Sequence, residues 1–260
     1  MSKVLVKACI LALLCIPLQA QAKNNKTDNN ISYRDGVERC ALDIAYDSDR
    51  QEAPVIVWFH GGGLTKGNKK IPEKLRGKNC VVVAVGYRLY PDASVSEIID
   101  DAAMAVAWVV NNISRYGGDT HKIILSGHSA GAYLVSMLAL DKQYLSKYGV
   151  DADQFSLIAA FAGQMMTHFT EKESRGIEKT QPVIDSLAPL HHIRKDAPPF
   201  LLVTGDRNLE MICRYEENAL FCGLMKHIGH PSMTLYELQG FTHKTMVQPA
   251  LQLLVNTLKL

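Results

Sequence analysis

Ser129 stands between two glycines in Gly127-His128-Ser129-Ala130-Gly131. A strand-like run, Lys122 to Ser126, leads into this motif and a helix-like run, Ala130 to Leu140, leads out of it. That context suits a strained strand-to-helix turn, in which the flanking glycines remove Cβ clashes and the serine hydroxyl stands clear of a sheet above a helix N-terminus. A hydroxyl held this way predicts nucleophilic attack on a carbonyl, the chemistry of a serine hydrolase. Such chemistry also needs a histidine to move the proton, an acid to orient that histidine, and donors for the developing oxyanion.

The remaining parts can be sought at the ends of other apolar runs. His60-Gly61-Gly62-Gly63 follows Val55 to Phe59. Three successive glycines let backbone N–H groups turn toward one point, so the amides of Gly61 and Gly62, with that of Ala130, are the expected oxyanion hole. After the last strand-like run, Met233 to Leu238, comes Gly240-Phe241-Thr242-His243. His243 sits on a loop before the final helical pattern, where its ring can act first as base and then as acid. His60 and His128 belong to the two glycine motifs, and His227/His230 form an H-x-x-H pair near Cys222. With no second cysteine pair at finger spacing, no metal is expected. For the acid, the segment after Phe200 to Thr204 reads Gly205-Asp206-Arg207-Asn208-Leu209-Glu210-Met211. Glu210, with its longer side chain at a loop-to-helix junction, is favoured to reach His243, and Asp206 is the alternative.

These residues need a scaffold. Val55–Phe59, Val81–Val85, Lys122–Ser126, Ser156–Phe161, Phe200–Thr204 and Met233–Leu238 are short apolar runs that suit strands covered on both faces. Helical patterns at Ser96–Tyr116, Ala130–Leu140, Glu210–Gly229 and Thr245–Leu258 alternate with them. The alternation predicts an α/β fold, a mostly parallel sheet with helices on both faces. Cys40 to Tyr46 reads as an edge strand, and residues 23–39 as an N-terminal tail ahead of a single domain over 40–260. Residues 1–22 read as a signal peptide: Lys3 and Lys7 precede the apolar stretch Ala8 to Leu18, and Ala20-Gln21-Ala22 offers a cleavage site. The stretch is too short for a stable membrane span, so an exported, soluble protein is expected.

Removing that segment takes Lys+Arg from 28 to 26, equal to the 26 Asp+Glu, and leaves no basic excess to attract nucleic acid or an anionic membrane. Cys40, Cys80, Cys213 and Cys222 remain. Cys213 and Cys222 are expected on one helix, about 13.5 Å apart along its axis, beyond the reach of a disulfide. Buried thiols are the expectation.

From about Pro54 to Leu260 the chain resembles the α/β-hydrolase fold, within the esterase branch of hormone-sensitive-lipase-like carboxylesterases, kynurenine formamidases and feruloyl or acetylxylan esterases. Val55 through Gly63 is similar to that branch's oxyanion strand and loop, and Tyr87-Arg88-Leu89 to its turn after the next strand. Tyr116-Gly117-Gly118-Asp119 leading into Gly127–Gly131 is the most specific match. The resemblance implies an ester hydrolase working through an acyl-enzyme at Ser129, without a cofactor. The substrate it suggests is a small-molecule or oligosaccharide ester with a short acyl or aryl group. Arylformamidase activity is the alternative, as is a silent binding module should no acid reach His243. The departure is Asn208, which stands where the family places its acid. Substrate selection is expected from the insertion Gln164 to Pro189, above the C-terminal edge of the sheet.

Overall fold

Runs of Val, Ile and Leu without a polar face must be covered on both sides, and the six predicted from the sequence lie side by side in one sheet. The computed structural model describes residues 24–260, so the expected signal segment lies outside the described residues. In chain order the strands are β1 Asn25–Ser32, β2 Ala41–Asp47, β3 Ala53–Phe59, β4 Val81–Val85, β5 Gly118–His128, β6 Leu157–Phe161, β7 Phe200–Gly205 and β8 Met233–Leu238. The helices are α1 Val95–Asn112, α2 Ala130–Leu140, α3 Lys142–Ser146, α4 Phe169–Ser174, α5 Arg214–His227 and α6 Val247–Leu258. The sheet order is β1-β2-β4-β3-β5-β6-β7-β8. Strands β3 to β8 run parallel, and β1 and β2 are antiparallel additions at one edge.

Strand alternation divides the core. Val55, Val57 and Phe59 of β3 join the buried cluster that contains α1, α2 and α5 side chains. Ile56 and Trp58 face the opposite way, into the cluster built with Met246 and with Ala250, Leu251, Leu254 and Val255 of α6. Every residue of α2 is buried, as its almost uniformly apolar sequence requires, and its one serine, Ser136, is satisfied by donating to Ala132 O. Helix α1 starts at a capping box: Ser94 Oγ accepts the Glu97 amide, and the Glu97 carboxylate accepts the Ser94 amide.

Three expectations change. The segment read as an N-terminal tail contains β1, so β2 is the second strand rather than the edge. β1 carries almost entirely exposed side chains, and it is a strand because its backbone pairs with β2, with no apolar face to announce it. Helix α5 begins at Arg214 rather than Glu210, because residues 206–213 form a tight turn that ends with Cys213 in a left-handed conformation. Cys213 therefore caps α5 from outside and is exposed, while Cys40 and Cys222 are buried thiols. Among the described residues no helix is long and apolar enough to cross a membrane.

Because β3, β5, β7 and β8 are parallel, their carboxyl ends share one edge of the sheet. From that edge leave the His60–Gly63 loop, the Ser129 turn, the Asp206–Cys213 turn and the Gly240–His243 loop.

Candidate active site

Ser129 joins β5 to α2 with φ 56° and ψ −115°, a backbone state an L-residue holds only when its surroundings enforce it. They do so closely. A Cβ on Gly127 would lie 2.5 Å from the Gly131 carbonyl carbon, and one on Gly131 would lie 2.1 Å from the Phe59 oxygen. The Ser129 amide donates to Phe161 O on β6 at 2.8 Å, and Ser129 O accepts the Tyr133 amide at 3.0 Å. The turn is thus fixed by main chain and glycines, and leaves the hydroxyl free for chemistry.

His243 Nε2 lies 2.9 Å from Ser129 Oγ, and His243 Nδ1 lies 2.8 Å from Glu210 Oε2. The structure therefore brings Ser129, His243 and Glu210 into one hydrogen-bonded chain. Glu210 gets there by local geometry: the amides of Leu209 and Glu210 both bond Asp206 O, making a turn that points the Glu210 side chain back at the strand end. Its carboxylate accepts the amides of Gly205 and Met211, and only 1% of the side chain is exposed. Burial pushes this carboxyl upward, but the His243 ring and the two amides outweigh it and hold the group below its usual value.

Asp206 does not join this chain. Its carboxylate accepts the amides of Gly240 and Asn208, which ties the two loops together at the surface. Asn208, at the family's usual acid position, is exposed and donates its side-chain amide back to Asp206.

Gly61 packs on the serine turn: a Cβ there would lie 3.3 Å from Ser129 Cβ and 3.0 Å from His128 O. Gly62 has φ +126°, and its carbonyl accepts the amides of Thr65 and Lys66. Ala130 opens α2, so its N–H belongs to the helix's unsatisfied first turn. Two residues whose roles the sequence left unread hold this region. Tyr87 Oη donates to His60 O at 2.6 Å and stacks on the His60 ring, which steadies the glycine loop. Arg88 clamps the buried Asp101 of α1 through Nε and Nη2, at 2.8 and 2.9 Å. The Tyr87-Arg88 pair was visible as a motif, but its partners were not.

The 164–189 insertion is bolted down beside the site. Thr170 Oγ1 donates to Gly63 O, Tyr133 Oη donates to Leu187 O, and Glu217 Oε2 accepts the amides of Met165 and Met166. Arg214, buried at the start of α5, donates from Nη1 to Ala162 O just beyond β6. Among the described residues, no group of three or more His, Cys, Asp or Glu is placed to hold a metal ion.

Three histidines near the site are held neutral. Burial lowers His60 to about 4, burial and then the charge of His243 lower His128 to about 4, and burial and then Arg214 lower His168 to about 3. Each binds a proton more readily when unfolded, at its ordinary value of 6.5. Between 6.5 and about 3 the unfolded chain thus carries more protons, and stability falls as the pH falls through that window. The melting temperature should drop steadily between pH 7 and pH 4.5 in calorimetry, and a flat profile would contradict the neutral assignments.

The BD-FAE family profile matches residues 42–217, about two thirds of the chain. The chain belongs to the BD-FAE family. It is 24% identical over 220 residues to esterase LipC of Mycobacterium tuberculosis, covering 76% of this chain and 54% of that protein. It is 26% identical to isoprenylcysteine alpha-carbonyl methylesterase ICME of Arabidopsis thaliana, covering 94% of this chain and 63% of that one. The chain thus spans between half and two thirds of the length of these curated relatives. Among solved structures, esterase B of Lactobacillus rhamnosis superposes with a TM-score of 0.74 at 19% identity, over 91% of this chain and 84% of that one. Butyrate-bound esterase 2 of Thermogutta terrifontis gives 0.70 at 23%, over 89% and 93%. The BD-FAE chain therefore has the α/β-hydrolase fold that its motifs resemble.

Proposed function

We propose that this protein hydrolyses carboxylic esters, with Ser129 as nucleophile, His243 as general base and then acid, and Glu210 as the carboxylate that orients and stabilises the His243 imidazolium. The observation that carries this reading is the hydrogen-bonded chain from Ser129 Oγ through His243 to Glu210 Oε2. Ser129 attacks the ester carbonyl as His243 Nε2 takes its proton, and the amides of Gly61, Gly62 and Ala130 receive the oxyanion. His243 then protonates the leaving alcohol, and water, activated by the same ring, releases the acid. A silent binding module would be favoured if neither Glu210 nor Asp206 contacted His243, and the 2.8 Å contact of Glu210 Oε2 with His243 Nδ1 supports the hydrolytic reading instead.

Short-acyl or aryl esters carried on carbohydrates are the substrates this reading favours. Leu209, Met211, Ile212 and Phe241, four large apolar side chains left exposed, sit on the two loops that carry Glu210 and His243, an open apolar rim suited to an acyl or aryl group. The insertion is tied to the glycine loop through Thr170, and a solved relative of the same fold holds butyrate. The export expected from residues 1–22 would put polysaccharide esters within reach.

The test is a panel of p-nitrophenyl acetate, butyrate and octanoate with acetylated xylo-oligosaccharide, methyl ferulate and N-formylkynurenine. Acetate or butyrate should exceed octanoate in kcat/KM by about tenfold or more, since each added methylene gains roughly 0.8 kcal/mol only where apolar surface can cover it. A preference for octanoate would reject the short-acyl reading, and N-formylkynurenine as the best substrate would make the enzyme an arylformamidase.

A further inference from the structure

His128, the residue before the nucleophile, does more than fill a motif position. Its Nε2 lies 2.8 Å from the main-chain oxygen of His243. A carbonyl can only accept, so Nε2 carries the proton and donates. The ring also lies 4.6 Å from the His243 ring, tilted by 41°. On its other side is the glycine loop, where a Cβ added to Gly61 would come within 3.1 Å of His128 Nδ1. One side chain thus touches the loop that carries the oxyanion donors and the loop that carries the base, and it belongs to the turn that carries the nucleophile.

The other hydrogen bonds of the His243 loop run elsewhere. Phe241 O accepts the Asp206 amide, Gly240 N–H donates to Asp206, and Thr242 bonds Thr245 and Met246. Those bonds tie the loop to the end of β7 and to itself. Among the described residues, the hydrogen bonds that join it to the serine turn are the His243–Ser129 contact, which must break and reform in each cycle, and the bond from His128.

We propose that His128 is a positioning residue: its Nε2–H clamps the His243 carbonyl and its ring spaces the His243 loop from Gly61, so that base, nucleophile and oxyanion donors keep one geometry through both proton transfers. This rests on the reading of His243 as the base. The role requires a neutral ring, because a second cation beside His243 would oppose imidazolium formation. The groups facing it favour neutrality on balance. Burial, the charge on His243 and Arg214 oppose its protonation, while the hydrogen bond to His243 O and the Glu210 carboxylate favour it more weakly. A phenylalanine would keep the volume and lose the donor. Glutamine extends an amide N–H to about where Nε2 sits, whereas asparagine stops near Nδ1.

His128→Phe, His128→Asn and His128→Gln should be compared with wild type in kcat and KM on p-nitrophenyl acetate, in melting temperature, and in hydrogen–deuterium exchange over residues 239–246. The expected result is a kcat loss of about 10 to 100-fold in the Phe and Asn variants with KM nearly unchanged, faster exchange in that loop, and recovery of both by Gln. Wild-type kcat in the Phe and Asn variants would overturn the proposal. Equal losses in all three that follow melting temperature would overturn it too, since they describe a packing role alone. Should wild type show no turnover that depends on Ser129, the base assignment fails instead, and the exchange rates still decide the clamp: loop exchange unchanged in the Phe variant overturns it, and faster exchange reversed by Gln upholds it.

Discussion

Ser129→Ala is expected to lower kcat for ester hydrolysis by on the order of 10⁴-fold or more while the protein stays folded. The fold should survive because the turn is not made by the hydroxyl. It is enforced by Gly127 and Gly131, where no Cβ fits, and by the Ser129 amide donating to Phe161 O, and alanine keeps all three. Alanine also meets the same backbone demand at φ 56° that serine meets already. What disappears is the atom 2.9 Å from His243 Nε2, and with it the acyl-enzyme. Steady-state rates on p-nitrophenyl acetate, with circular dichroism of the same samples, check this. Retention of more than a few per cent of the activity would mean that another group attacks the ester.

Glu210→Gln should reduce kcat by several orders of magnitude, with Asp206→Asn costing far less. Glutamine keeps the shape and one acceptor for His243 Nδ1, but it loses the negative charge that stabilises the imidazolium, and its amide can favour the wrong tautomer. Glu210 is also the carboxylate sealed from solvent, so no water screens its charge from the ring. Asp206 is half-buried at the loop surface, and its ties to Gly240 and Asn208 hold the loops rather than touch His243. Its loss should loosen the His243 loop slightly. Asn208→Asp is not expected to rescue Glu210→Gln, because the Asn208 side chain is exposed and turned toward Asp206, where a second carboxylate would be repelled. The same activated ester serves for all variants. Near-wild-type turnover by Glu210→Gln together with collapse of Asp206→Asn would transfer the acid role to Asp206.

What could be read from residues alone follows from which forces left a pattern. β4 and α2 lie where their apolar runs begin and end, because segments covered on all sides must be apolar almost throughout, whereas β8 keeps its expected bounds at the sheet edge although Met233 is its one buried residue and the expected cover on both faces is missing. The serine turn was legible because its strain demands glycines at two positions, and His243 because a loop had to follow the last core strand. β1 was not legible: Asn, Lys, Thr and Asp form it through backbone pairing at an edge, with no buried face to impose alternation. The acid was ambiguous for a different reason. Choosing Glu210 over Asp206 depends on a turn closed by amides bonding Asp206 O, a main-chain feature that any residue types could share. His128 escaped for a third reason, since its partner is a carbonyl, an atom that every residue carries.

β8 is an outermost strand of the sheet, held by hydrogen bonds to β7 on one side only, and His243 hangs from the loop just after it. Serine and glycine loop, by contrast, leave β5 and β3 in the middle of the sheet. Border strands open by sub-global fluctuations that need far less free energy than complete unfolding. The proposed catalytic groups are therefore divided between a rigid interior and a frayable margin, and warming should abolish the proposed ester hydrolysis through molecules that have shed their margin while the bulk of their secondary structure persists.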